Sequence, residues 1–277
     1  MTLASRNKVF ISGIAAGIIS LAIVAGAALF ILPAFTEAHG LSIQRSQGIL
    51  QRFLMNITEA SPNITFIAIT AAVIYSLAGI FLLFYFFEKT QTPEILFVGI
   101  FIISFAFECI RIMIPLNMVM DITGIYLTTG SRVLFFGRYL GLFSLFAAST
   151  LSAGLEAQKQ QNIIFISATA SVIFAIGVPI DGLAWDTSLV LLNDYSSTFN
   201  MVQAGIYVIT ILSFLISAYT RGSRDYLSIA LGAFLMLMGR NMLLNSDTLF
   251  SFIPGFIMLS FGTWLMCSKF HRIYMWL

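Results

Sequence analysis

Charged residues are scarce in this sequence: Asp, Glu, Lys and Arg make up 9% of its 277 residues, whereas an ordinary soluble domain carries about 25%. Hydrophobic residues make up 59%, and no stretch is polar enough to form a soluble domain of any size. A net charge of +2 without a basic stripe excludes nucleic acid as a partner. These absences predict a single integral membrane domain over residues 1–277, with the lipid bilayer as its surroundings.

Residue types that common cofactors and reactions need are also few. The only histidines, His39 and His271, fall on opposite faces of the predicted membrane and cannot form a bis-histidine haem site. No predicted span contains Lys, which excludes a retinal Schiff base, and two cysteines, Cys109 and Cys267, are too few for a zinc site. Nucleophile-elbow, P-loop and zinc-protease motifs are absent. The sequence therefore predicts a non-enzymatic protein with no cofactor, no metal and no catalytic residue.

Long apolar runs dominate what is present. A helix that crosses the hydrocarbon core needs about 20 residues, and eight runs approach or exceed that length. We predict an all-α polytopic transmembrane helical bundle. Its spans are residues 9–35, 64–87, 95–117, 133–154, 163–181, 201–219, 226–244 and 249–268.

The distribution of Lys and Arg predicts which way the bundle faces. The termini and the connections after even-numbered spans hold eight such residues, whereas the opposite connections hold Arg45, Arg52 and Arg132. Because positively charged connections stay in the cytoplasm, both termini are predicted to be cytoplasmic. Between the first two spans, apolar residues recur on one face of residues 41–57. This pattern predicts an outer amphipathic segment, which either lies on the bilayer surface or packs as a loop helix.

The few charged residues inside the spans are the candidate functional residues. Glu108 and Arg111 are three residues apart on the third helix and therefore share a face. A lone charge at the bilayer centre costs about 2.5–3.5 kcal/mol on insertion scales, so such residues need partners. The direction of each helix places the candidates in the outer half of the membrane, and we predict that they meet at one level. They are Glu108, Arg111, Arg138, Asp181 and Arg240, with Asn241 beside the last.

Two interpretations of these residues stay open at the level of sequence. In one, the charges neutralise one another as a fixed network, and the protein is a purely structural subunit. In the other, the guanidinium groups face an outward-facing pocket that binds a small anionic ligand or a lipid headgroup, because their geometry matches carboxylate and phosphate. The second interpretation suits a receptor or sensor, or the membrane subunit of a larger complex.

The same pocket would also suit a transporter or permease for an anionic or zwitterionic solute. A transporter needs polar residues that continue from this level towards the cytoplasm. Only Ser104, Ser144 and Ser149 follow on the third and fourth helices. Their small number favours a pocket that opens on one side.

Small residues at helical spacing occur in two spans. Gly13 and Gly17 lie four apart in the first span, and Gly137 and Gly141 lie four apart in the fourth. Such pairs let helix backbones approach closely. We predict packing within the chain at both pairs rather than a dimer interface.

One segment resembles a known family. The run IYSLAGIFLLFYFFE (residues 74–88), the short polar turn after it and a third helix ending in Arg111 to Pro115 look like the start of the membrane domain of bacterial 7TM receptors with diverse intracellular signalling modules. The turn TRGSRD (residues 220–225) is similar to a basic turn in that family, and the resemblance spans residues 64–268. It implies a signalling role in the bacterial cytoplasmic membrane. Family members usually carry ligand-binding and output domains that this sequence lacks, which implies a reduced sensor that signals through a separate protein partner.

Overall fold

The computed structural model describes residues 3–30, 60–88, 92–120, 123–155, 159–180, 184–192 and 196–275. Within these ranges, eight helices are long and apolar enough to cross a membrane. Their bounds are α1 Leu3–Phe30, α2 Pro62–Phe87, α3 from Pro93 to Met120 in three consecutive pieces, α4 Gly124–Ser152, α5 Gln160–Gly177, α6 Ser196–Arg221, α7 Arg224–Leu244 and α8 Leu249–Met275. The predicted all-α bundle of eight spans is confirmed, and the chain is a multi-pass membrane protein. The cytoplasmic orientation of the termini stays a prediction, and the outer amphipathic segment 41–57 lies outside the described residues.

The centre of the bundle is formed by α3 and α4. Helix α3 packs against α1, α2 and α4, while α4 also packs against α5 and α6. Helix α7 packs against α6 and most extensively against α8, whereas α8 touches α2 only sparsely. Because lipid is as apolar as the bundle interior, the helices are hydrophobic on every face, and packing partners cannot be read from periodicity.

The last turns of α8 extend beyond the span predicted from hydropathy. Phe270 is fully buried, and the Tyr274 hydroxyl contacts both carboxylate oxygens of Glu94 at the start of α3, at 2.9 and 2.8 Å. Lys269 pairs with Asp225 at the start of α7 at 3.3 Å. Contacts with two other helices therefore hold the end of α8 against the bundle.

The two predicted glycine pairs pack inside the chain. A Cβ atom added at Gly17 would lie 3.1 Å from Leu77, and one added at Gly137 would lie 2.5 Å from Phe107. The same addition at Gly141 would collide with Ser104. The prediction of packing within the chain is confirmed.

A closer glycine contact joins α7 to α8. Gly232 and Gly239 lie seven residues apart on α7, and Gly255 and Gly262 lie seven apart on α8. A Cβ atom at Gly239 would lie 2.7 Å from the Gly255 carbonyl oxygen, and one at Gly262 would lie 2.7 Å from the Gly232 carbonyl oxygen. The two backbones therefore touch at both ends of the contact. This close approach explains why α7 and α8 form the most extensive helix–helix contact among the described residues.

We expect Gly239→Ala to lower the free energy of unfolding by about 1–3 kcal/mol, because the new methyl group meets backbone atoms that cannot rotate away. Gly205→Ala in α6 is the matched control, since a Cβ atom there meets nothing within 4 Å. The control should be neutral or slightly stabilising, because Ala favours helix over Gly. Thermal unfolding in detergent micelles measures both variants, and equal loss in the two would contradict the backbone contact.

An arginine and glutamate cluster beside a polar side pocket

Helix α3 changes its geometry where the charged residues lie. Ser104–Ile112 is a 3-10 helix of 9 residues between the α-helical pieces Pro93–Ile103 and Met113–Met120. A 3-10 helix has about 3.0 residues per turn, so Glu108 and Arg111 stand one directly above the other. In an α-helix they would be offset by about 60°. The sequence predicted a regular helix over residues 95–117, because an apolar run carries no signal for this local tightening.

The Glu108 carboxylate is the centre of the cluster formed by Glu108, Arg111, Arg138 and Arg240. Its Oε1 accepts a hydrogen bond from Arg138 Nε at 2.9 Å, and its Oε2 accepts one from Arg138 Nη2 at 2.9 Å. Arg111 Nη1 donates to the same Oε2 at 3.3 Å. The side chains of Glu108 and Arg111 are each 1% exposed. Two parallel bonds from one guanidinium make the Arg138 pair the strongest in the cluster.

Arg111 also ties the cluster to the connection between α5 and α6. Its Nη2 donates to the Ser188 carbonyl oxygen. The turn around Ser188 is closed by an isolated bridge between Trp185 and Leu191, and the Thr187 hydroxyl fixes it to Asp247 at 2.8 Å. The segment 184–192, which lies between the predicted fifth and sixth spans, therefore contacts the cluster at Arg111.

Arg240 is the least neutralised member of the cluster. It is 2% exposed, and it donates to the Tyr207 hydroxyl at 3.2 Å and to the Arg138 carbonyl oxygen at 2.6 Å. In the part of the chain that the structure describes, no carboxylate pairs with it. Among the described residues, Glu108 is the one carboxylate in direct contact with the cluster; it also acts electrostatically on Arg240, and Asp186 acts on Arg111 without a direct bond. A buried cation without an anion is costly.

A small cavity, here called the side pocket, opens beside Arg138 and Arg240. Its volume is about 80 Å³, well above the roughly 10–15 Å³ that one water needs. Its amide groups interact with one another: Asn241 Oδ1 accepts hydrogen bonds from Gln203 Nε2 and Asn245 Nδ2, both at 3.3 Å. The lining residues are Phe135, Arg138, Tyr139, Phe199, Asn200, Gln203, Arg240, Asn241, Leu244 and Asn245. The pocket is a polar site inside an apolar bundle.

The structure brings together five of the six residues that the sequence singled out. Arg111 and Arg138 each contact Glu108 directly, and Arg240 joins them through the Arg138 backbone. Asn241 lies one residue away on the wall of the side pocket. The sixth, Asp181, lies outside the described residues.

Sequence reasoning missed the polar face of α6. Asn200, Gln203 and Tyr207 follow one another at spacings of three and four residues, which places them on one side of a helix. All three reach the side pocket or Arg240. The spacing was visible in the sequence. However, uncharged polar residues near the start of a span are also common where an ordinary helix leaves the membrane, so the spacing did not indicate a site.

We expect Glu108→Gln to lower the free energy of unfolding by about 3–5 kcal/mol, because it leaves the buried guanidinium groups without their anion. Glu94→Gln is the matched control: Glu94 is equally buried, but among the described residues its side chain contacts only the neutral Tyr274 hydroxyl. Its substitution should cost about 1 kcal/mol or less. Unfolding in detergent measures both.

A double variant tests the pairing itself. Arg138→Gln added to Glu108→Gln removes both charges of the strongest pair, so the combined loss should be smaller than the sum of the single losses. Additive losses would contradict direct coupling between Glu108 and Arg138.

Compared with known proteins, the sequence matches no family model, no curated protein and no solved structure. The resemblance to bacterial 7TM receptors therefore stays a prediction. The chain is a multi-pass membrane protein. A more specific function can be inferred only from the cluster and its side pocket.

Proposed function

We propose that this membrane protein is a non-enzymatic, receptor-like protein of the bacterial cytoplasmic membrane whose side pocket binds a small anion. One observation carries the proposal: the Arg240 guanidinium is buried, has no carboxylate partner among the described residues and lies on the wall of a cavity rich in amide groups. Carboxylate and phosphate groups match the planar donor set of Arg. An anion in the pocket would neutralise charge that Glu108 alone does not balance.

The donors around the pocket suit such a ligand. Arg138 uses its Nε and Nη2 on Glu108, and its Nη1 has no hydrogen-bond partner in the described part of the chain. Asn245 Nδ2 has one further N–H group at the pocket wall, whereas both N–H groups of Gln203 already donate to Tyr207 and Asn241. Hydrogen bonds to a charged group are worth about 1.5–3 kcal/mol each. A few of them give a small anion useful affinity without a large apolar contact.

The surroundings favour a pocket that opens on one side over a transport path. The Ser104 hydroxyl donates to the Phe101 carbonyl at 2.6 Å, and the Ser144 hydroxyl donates to the Gly141 carbonyl at 2.8 Å. Ser149 likewise bonds within its own helix. These hydroxyls are already satisfied, so they offer no line of polar groups towards the other end of the bundle. We therefore place sensing ahead of transport.

A receptor-like role needs a route from the pocket to a partner. Arg138 contacts both the pocket and Glu108, and Glu108 contacts Arg111, which donates to the carbonyl of Ser188. Anion binding at Arg138 would thus act on a carboxylate that also holds the connection between α5 and α6. We propose that a separate protein partner reads the change, as expected for a membrane subunit of a larger complex.

We expect phosphate, sulfate or acetate to raise the melting temperature of the purified protein saturably at constant ionic strength, since binding to the folded state stabilises it. Arg240→Met should weaken this binding about 10- to 100-fold, which corresponds to losing one hydrogen-bonded charge. Thermal unfolding with increasing anion concentration measures the effect.

Arg132→Met is the matched control for the anion experiment, because Arg132 is exposed on α4 and lines no part of the side pocket. It should bind anions as the unmodified protein does. Absence of saturable stabilisation, or equal weakening in both variants, would contradict the proposal and favour a purely structural cluster. Uptake of the bound anion into proteoliposomes would instead favour the transporter.

A further inference from the structure

Helices α2 and α8 enclose a groove away from the side pocket. The helices meet at two points: the Tyr75 and Thr263 hydroxyl oxygens lie 2.6 Å apart, and the Phe87 and His271 rings pack edge to face with centroids 5.5 Å apart. Between these contacts lies a cavity of about 460 Å³. This size falls within the range of roughly 300–1,000 Å³ that is usual for sites that bind small molecules.

The groove opens sideways, between helices, into the surroundings of the bundle. Leu82, Phe86 and Trp264 form part of its rim and are 52%, 57% and 63% exposed. Because these helices cross the membrane, the exposed rim faces hydrocarbon rather than water. An empty apolar cavity forfeits dispersion contacts, and an apolar cavity does not hold water. Among the molecules that surround the protein in a bilayer, a lipid acyl chain fits this opening.

One end of the groove is polar. His271 lines it, and the buried Nδ1 atom of His271 has no hydrogen-bond partner in the part of the chain that the structure describes. An amphiphile whose polar group reaches His271 would satisfy this atom. The groove therefore suits a molecule with a long apolar chain and a polar head.

Charge at this end of the bundle indicates the sign of that head. Arg6 donates to the Phe87 carbonyl at 2.5 Å, and Lys269 pairs with Asp225 at 3.3 Å, so the ends of α1, α2, α7 and α8 lie together. We call this the basic end. Apart from Arg6, which is engaged by α2, its described basic residues are Lys8, Arg221, Arg224, Lys269 and Arg272, and its described acidic residues are Glu88, Glu94 and Asp225. The positive excess complements an anionic lipid headgroup.

We propose that the groove between α2 and α8 binds an anionic phospholipid, with an acyl chain between Tyr75 and Phe87 and the headgroup at His271 and the basic end. The site shares no lining residue with the side pocket. Loss of one site should therefore leave the other intact, and Arg240→Met should not change lipid binding.

Native mass spectrometry of the detergent-solubilised protein with added phosphatidylglycerol tests the proposal. Ala78→Phe places a ring in the groove and should weaken phosphatidylglycerol binding about tenfold or more. Ala204→Phe, at an exposed position on α6 outside the groove, is the matched control and should bind as the unmodified protein does. Ser260→Leu fills the opposite wall and provides the same test if Ala78→Phe does not fold.

The headgroup is tested with phosphatidylcholine and with His271→Leu. We expect phosphatidylglycerol to bind several-fold more tightly than phosphatidylcholine, and His271→Leu to weaken phosphatidylglycerol binding several-fold. Equal binding of the two lipids would overturn the anionic headgroup. Unchanged binding in both Ala78→Phe and Ser260→Leu would overturn the groove as the lipid site. If the unmodified protein is a dimer and these variants abolish the dimer, the occupant of the groove is a second copy of the chain, and the lipid proposal is overturned as well.

Discussion

The Glu108 carboxylate is the constraint on which the arrangement of the central helices depends. It joins α3 to α4 through its ion pair with Arg138. Through Arg111, which also donates to Ser188, it joins these helices to the α5–α6 connection. The Arg138 carbonyl accepts a hydrogen bond from Arg240 on α7. Helices in a bilayer gain no hydrophobic free energy from meeting each other, so polar contacts and close backbone packing decide which faces meet. A buried ion pair adds little net stability, but losing one partner is expensive. The cluster therefore selects one arrangement of helices more than it strengthens the bundle.

We propose that structural and ligand-binding roles divide within the cluster. Glu108 and Arg111 are almost fully buried and paired with each other, which suits a fixed role. Arg240 lies at the opposite edge, has only neutral acceptors in the described part of the chain and faces the side pocket. Arg138 belongs to both groups. Under the proposed anion site, the two interpretations that the sequence left open would apply to different residues, and an anion would complete a network that Glu108 begins.

The two ends of the bundle differ in chemistry, and α3 connects them. Glu94 near its start contacts α8 at the basic end, whereas Glu108 and Arg111 lie in the 3-10 segment towards the other end. Nine residues in a 3-10 helix are about 4–5 Å longer than in an α-helix. The distance between the two charged levels therefore depends on this local geometry.

The sequence by itself determined the eight spans, because length and hydropathy report how deep a residue lies in a membrane. The same reasoning placed Glu108, Arg111, Arg138 and Arg240 at one level, since depth follows from counting along each helix. Only the tertiary structure decided which of them pair, that α6 contributes Asn200 and Gln203 to the wall of the side pocket, and that α2 and α8 leave a groove. These features depend on the rotation of each helix about its axis. Hydropathy does not encode that rotation when every face of a helix is apolar.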